Sequence, residues 1–159
     1  MNKDDPLSMY NYQSSAVQSL TKILQMQKEE NWMLPVMNTM CLELRLLAVC
    51  VENIRTNKNI KPGEILEKCA DCLMGCFRVC ACDNRSSEDD TKRWGMLTLV
   101  NQLLKIYFRI NKLHLCRPLI RAIESSPYKA LFTLAQKITY KFFVGRKAMF
   151  DSDYKAGNY

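Results

Sequence analysis

Apolar residues recur every three or four positions along almost the whole chain, and this single feature restricts the fold more than any other. A 3.6-residue period places them on one side of a helix, whereas a strand would need strict alternation. Five glycines and five prolines in 159 residues leave few positions for the many turns of an all-β domain. The length is that of one domain, and a 48% hydrophobic content can supply its core.

The spacing predicts six helices. The first runs from about Tyr12 to Lys28 with Val17, Leu20, Ile23 and Leu24 on its inner side. The second starts near Trp32, holds Pro35 in its first turn, and carries Met33, Val36, Met40, Leu44, Leu47, Val51 and Ile54 as its stripe, ending at Asn57-Lys58-Asn59. The third opens at Pro62 with the stripe Ile65, Cys69, Leu73, Cys76 and Cys80. Ser87 to Asp90 has the form of a capping box, which would start the fourth helix and carry it to about Asn111 through Leu97, Val100, Leu104 and Tyr107. The fifth spans roughly Leu115 to Glu124. The sixth spans about Ala130 to Phe150, with the stripe Leu131, Leu134, Ile138, Phe142, Gly145 and Met149. Residues 1–11 are expected to be a flexible N-terminus and 12–159 a helical-repeat domain, incomplete at its C-terminus. The Asp151-Ser152-Asp153 turn resembles the opening of a further helix, which a helical repeat would need as a cover for its last apolar face.

Charge is divided unevenly. Residues 1–90 carry ten Lys/Arg and thirteen Asp/Glu, a balance of −3, and residues 91–159 carry thirteen and three, a balance of +10. A basic half points to an anionic partner, either nucleic acid or an acidic protein. Lys105, Arg109 and Lys112 fall on one side of the fourth helix, Arg117 and Arg121 are i, i+4 on the fifth, and Lys137, Lys141, Arg146 and Lys147 lie on the sixth. Eight of these, Lys105, Arg109, Lys112, Arg117, Arg121, Lys141, Arg146 and Lys147, form the candidate surface for nucleic acid or an acidic partner. Tyr107, Phe108, Tyr140, Phe142 and Phe143 interleave with them, but Tyr107 and Phe142 lie on expected core stripes, so the cations are the expected contacts.

Chemistry is harder to place. Cys69-Ala70-Asp71-Cys72 is formally a CxxC, yet 69, 72, 76 and 80 is the spacing of a buried helical stripe, and no second cysteine or histidine pair completes a tetrahedral site. His114, the only histidine, stands two residues from Cys116, where a helix-start histidine beside a buried cysteine is expected. Asp151 and Asp153 are expected to cap a following helix. There is no glycine-rich phosphate loop, HExxH or GxSxG. The expectation is therefore a binding protein and not an enzyme, with no catalytic, cofactor or metal site. Met1 to Ser8 contains no apolar run of a secretory signal and the uncharged runs are short for a bilayer, so an intracellular chain with reduced cysteines and no membrane contact is expected.

Several stretches are more specific than periodicity. They are Lys28-Glu29-Glu30-Asn31-Trp32 with Leu34-Pro35-Val36-Met37; Cys76-Phe77-Arg78-Val79-Cys80-Ala81; the long block from Lys92 to Ser126, including Trp94-Gly95-Met96-Leu97 and Asn111-Lys112-Leu113-His114-Leu115-Cys116; and Val144-Gly145-Arg146-Lys147-Ala148-Met149-Phe150-Asp151. Over about residues 15–156 the chain resembles the PCI subunits of TREX-2-type messenger-RNA export complexes. The resemblance implies an all-α fold of antiparallel helical hairpins, stacked as an irregular TPR-like solenoid and truncated before a winged-helix PCI subdomain. It implies a non-enzymatic scaffold that pairs with a GANP-type scaffold subunit and a small acidic DSS-type protein, with a basic nucleic-acid platform on the paired winged helices; RNA or DNA contact through the basic C-terminal half of this chain is the expectation from its charge. It also implies residence in the nucleus at nuclear pores and in the cytoplasm. The alternatives are a direct nucleic-acid-binding helical module, or a scaffold subunit of another PCI complex such as the proteasome lid or the signalosome.

Overall fold

The computed structural model describes residues 5–27, 30–54, 61–84 and 87–151, and these are helical with no strand among them. Six α-helices follow one another: α1 Pro6–Met26, α2 Leu34–Ile54, α3 Glu64–Ala81, α4 Met96–Arg109, α5 Cys116–Glu124 and α6 Leu134–Phe150. Short 3₁₀ turns, Lys92–Gly95 and Leu113–Leu115, lead into α4 and α5.

Local chemistry sets the helix boundaries. Helix α1 begins at Pro6, so residues 6–11, expected to be flexible, belong to it. Asp5 accepts from the amides of Leu7 and Ser8, and Pro6 occupies the first turn, where no amide is needed. Helix α3 starts after Gly63, which sits at φ 82° and has no side chain to cap with. Glu52 of α2 does so instead, accepting from the amides of Gly63 and Ile65 at 3.1 Å each. The expected Ser87 capping box does not open the fourth helix. Thr91 caps the Lys92–Gly95 turn by accepting from Arg93 N at 3.2 Å, and α4 follows at Met96. Helix α6 begins at Leu134 with a full capping box between Thr133 and Gln136.

Contacts order the helices into hairpins. Gln13 on α1 donates to Met40 O and to Glu43 on the antiparallel α2. The thiols of Cys41 and Cys76 meet at 3.8 Å between the antiparallel α2 and α3. Arg45 to Gln102 and Arg109 to Asn53 join α2 to a parallel α4. Thr98 and Asn101 reach Gln136 on α6, which runs parallel to α4, and Tyr140 reaches Ile120 O and Glu124 on the antiparallel α5. Helices α2, α4 and α6 thus form one row, each bonded to the next.

The α3 stripe is as its spacing predicts: Ile65, Cys69, Leu73, Cys76 and Cys80 are buried. Burial pushes the Cys69 and Cys80 thiols up to about 12. Two other stripes are corrected. On α2 the core side is Leu34, Met37, Cys41, Leu44 and Ala48, while Val36 and Ile54 face outward, because α2 is apolar around most of its circumference and packing alone selects the inner side. On α6 the expected stripe faces outward except at Gly145, which is buried as expected: Leu134 is 71% and Phe142 59% exposed, with Leu131, Ile138 and Met149 also exposed. Tyr140, Phe143, Lys147 and Ala148 face inward instead. Among the described helices only α2 has the length and hydropathy to cross a membrane. It nevertheless carries Glu43, Arg45 and Glu52, all three engaged in polar contacts with neighbouring elements.

One joint ties the hairpins together. The Lys92 ammonium, only 4% exposed as a residue, donates to Leu24 O at 2.6 Å and to Gln27 O at the end of α1. Its amide donates to Asp83 at 2.6 Å. Gly95 lies so close to the core that a Cβ there would stand 2.8 Å from Met37 Cε and 3.1 Å from both Cys80 Sγ and Leu34 Cδ2.

Candidate functional site

The eight basic residues singled out by sequence do not form one surface. Lys147 is removed from the candidate set: it is 5% exposed, and its ammonium meets the Asp151 carboxylate at 2.5 Å. Its position on the inner side of α6 follows from the reversal of that helix. Arg117 pairs with the same carboxylate at 3.5 Å, so Asp151 serves as a counter-ion between α5 and α6. The Lys147 bond above all holds its carboxyl below the usual aspartate range. Asp153 lies outside the described residues. Lys112 pairs with Glu67 of α3 at 2.8 Å. Arg121 is exposed on α5, and Lys141 is exposed on α6 close enough to Glu124 to favour its ionised form.

Lys105 and Arg109 remain, and the structure brings them to a residue absent from the candidate set. Arg45 of α2 donates from Nε to Gln102 Oε1 at 2.5 Å, one turn before Lys105, and Arg109 Nη2 donates to Asn53 Oδ1 at 2.5 Å. Thr98, Gln102, Lys105 and Arg109 follow at helical spacing along one side of α4, on which Gln102 is buried, Thr98 and Lys105 are half-buried and Arg109 is exposed. Desolvation, with Arg45 as a neighbouring cation, lowers the Lys105 pKa. Desolvation also lowers that of Arg45, to which Arg109 adds. Arg45 and Arg109 are thus each oriented by a neutral side-chain amide; Arg45 and Lys105 are half-buried and Arg109 is exposed. No carboxylate among the described residues forms an ion pair with them. Arg45 escaped sequence reasoning because it stands in the acidic half. Its signal was a lone cation within the apolar run of α2.

Across α4 the face continues onto α6. The Arg146 guanidinium lies 5.2 Å from the centroid of the Phe108 ring and 6.0 Å from that of Phe150. Phe150 and Phe142 are exposed rings and Phe108 is half-buried, whereas Tyr107, Tyr140 and Phe143 are in the core. The expectation that Phe142 is a core residue is thus overturned.

The residues with chemical potential lie elsewhere. His114 is exposed on the Leu113–Leu115 turn, while Cys116 points into the core, where burial pushes its thiol up to about 11. Among the described residues no three His, Cys, Asp or Glu side chains converge to hold a metal. A cavity of about 390 Å³ between α4, α5 and α6 is lined by Leu97, Ile123, Glu124, Lys137, Tyr140 and Lys141. Glu124 there is already engaged by Lys129 and by the Tyr140 hydroxyl at 2.9 Å.

Curated relatives now bear on this arrangement. The chain is 57% identical over 150 residues to the PCI domain-containing protein 2 homolog of Drosophila melanogaster, and 55% identical over 156 residues to PCI domain-containing protein 2 of Danio rerio. These alignments cover 94% and 98% of the chain. The chain is a homologue of PCI domain-containing protein 2. It spans only 38% and 39% of the length of those two relatives. A more distant relative, at 27% identity over 153 residues, is the Protein CSN12 homolog of Mycosarcoma maydis, of which the chain covers 34%. No family model matches the sequence, and no solved structure matches it. The PCI-family kinship supports a helical scaffold.

Proposed function

We propose that this chain is a non-enzymatic scaffold piece of a TREX-2-type assembly that supports messenger-RNA export at the nuclear pore. The observation that carries the proposal is the match to PCI domain-containing protein 2 relatives over nearly the whole chain at 55–57% identity. The α2–α4–α6 row, with α1 and α3 packed in parallel behind it, fits a TPR-like stack of hairpins. In the relatives, which are more than twice as long, the outward apolar stripe of α6 would be the contact for the next element. The partners in this reading are a GANP-type scaffold subunit and a small acidic DSS-type protein. The location is the nucleus, at pores, with a cytoplasmic pool.

The test is a pull-down of the 159-residue chain with a GANP-type subunit and the acidic small protein, beside a full-length relative. Capture of either partner by the short chain supports a partner surface within these helices. Capture by the full-length relative alone would place the partner surface in the sequence that this chain does not cover, and would remove the scaffold role from the short chain.

A further inference from the structure

We propose that the cavity between α4, α5 and α6 is a binding site for a single-chain anionic amphiphile, with its apolar chain on Leu97 and Ile123 and its anionic head between Lys137 and Lys141.

The first support is a gradient of polarity. Leu97 and Ile123, each 1% exposed, form the floor, and Val144 contributes to the wall. Lys129 and Lys141 are exposed and Lys137 is half-buried, so the ammoniums gather at the mouth. An apolar floor offers water no hydrogen bonds, and an apolar chain is favoured there in proportion to the area it covers.

Charge is the second. One carboxylate, Glu124, lines the cavity with the three lysines, which leaves a balance of +2. Lys129 forms an ion pair with Glu124, and the Tyr140 hydroxyl donates to it at 2.9 Å. Lys137 donates instead to the neutral Ala130 O at 2.9 Å, and Lys141 acts on Glu124 at longer range. A carbonyl orients an ammonium without cancelling its charge and leaves two of its three donors for an anion. Lys137 and Lys141 are also i, i+4 on α6, where like charges repel. An anionic head between them removes that repulsion.

Shape is the third. The lining comes from α4, α5, the connection between α5 and α6, and α6 itself. A pit walled by four segments takes a chain end-on, whereas an extended polypeptide or a nucleic-acid strand needs a track open at both ends. With about 30 Å³ per water-sized group, the volume of about 390 Å³ holds on the order of ten heavy atoms. That admits one medium-length chain and excludes a two-chain lipid. The cleft between α1 and α2 is a contrast: Met9, Leu46 and Leu47 make it apolar, but its charged residue is Glu43, which offers an anion nothing. Occupation of the α4–α5–α6 cavity does not depend on capture of a scaffold partner.

The experiment is isothermal titration calorimetry of the 159-residue chain with sodium decanoate below its micelle concentration. Saturable binding at one site is expected. Octanoate should bind roughly tenfold more weakly, because each buried methylene is worth about fourfold. Decyltrimethylammonium, the same chain with a cationic head, should bind at least tenfold more weakly than decanoate. Decyl phosphate is titrated in parallel: the tighter of the two anions identifies the head as carboxylate or phosphate, and either one binding above the cation supports the site. Lys137→Gln/Lys141→Gln should weaken decanoate at least tenfold and remove the preference over the cation. Val144→Phe fills the cavity and should abolish binding while Tm is kept; Ala130→Phe, at an exposed position of the connection, fills it from the other side if Val144→Phe does not fold. Lys22→Gln/Arg121→Gln removes two charges outside the cavity and should stay within threefold of the parent. No saturable binding, equal affinity for the anionic and cationic heads, or undiminished binding in a folded cavity-filling variant would overturn the proposal. Partner capture with no decanoate binding would sink this site alone, and decanoate binding with no partner capture would sink the scaffold reading alone.

Discussion

Replacing Lys92 with methionine should destabilise the fold more than any surface change of similar size. The ammonium caps α1 from 65 residues away, donating to Leu24 O and Gln27 O. Hydrogen bonds to a charged group contribute about 1.5–3 kcal/mol each, so the two together are worth roughly 3–6 kcal/mol. Methionine keeps most of the length and packing and removes the cost of burying a cation, which offsets part of that loss. It also leaves two helix-terminal carbonyls without this donor. The net cost is expected to be about 2–4 kcal/mol, or a fall in Tm of roughly 4–16 °C for a chain of this size. Thermal and urea unfolding of Lys92→Met should be compared with Lys22→Met, an exposed lysine on α1, which should change Tm by no more than a degree or two. The urea m-value should be unchanged, since a similar surface is exposed on unfolding. A Tm for Lys92→Met within 2 °C of the parent would refute the reasoning. It would mean that desolvation of the ammonium cancels its bonds and that the joint between α1 and the α3–α4 connection contributes no net stability.

Further expectations follow from individual contacts. Glu52→Ala removes the remote cap of α3 and should cost about 1–2 kcal/mol in chemical denaturation. Phe143→Ala should cost about 3–5 kcal/mol, whereas Phe142→Ala should cost under about 1 kcal/mol; equal losses would show that the outer stripe of α6 is covered. Asp151 is held ionised below the ordinary aspartate range, so its contribution is complete above about pH 5 and disappears as pH falls through the lower native value. The stability gap between the parent and Asp151→Asn should therefore close on acidification; a gap constant from pH 7 to pH 2 would show that Lys147 does not depend on that charge. Gly95→Val should lower Tm because its side chain would meet Met37, Cys80 and Leu34, and an unchanged Tm would mean that those flexible ends yield freely.

Much of the fold was legible in the chain. Six helices, their order and the buried cysteine stripe of α3 follow from spacing, because α3 has one narrow apolar side and Cys69, Cys76 and Cys80 have no other place to go. The Asp5-Pro6 pair was an unused start signal for α1. The candidate site was half legible. Lys105 and Arg109 stood out as cations on one face, but Lys147 is chemically indistinguishable in sequence from an exposed lysine. Only the rotation of α6 about its axis shows it buried against Asp151.

Local sequence alone determined that this chain is helical, where its turns fall, and that its second half is basic, because periodicity, caps and charge are properties of neighbouring residues. Tertiary structure decided which side of α2 and α6 faces inward, since both helices carry apolar residues on more than one side and only the competition for the space beside α3, α4 and α5 selects among them. It also decided which cations keep an open valence. An ion pair such as Lys112 with Glu67, or a group of neighbouring cations such as Arg45, Lys105 and Arg109, is formed between helices whose residues lie 45 to 64 positions apart.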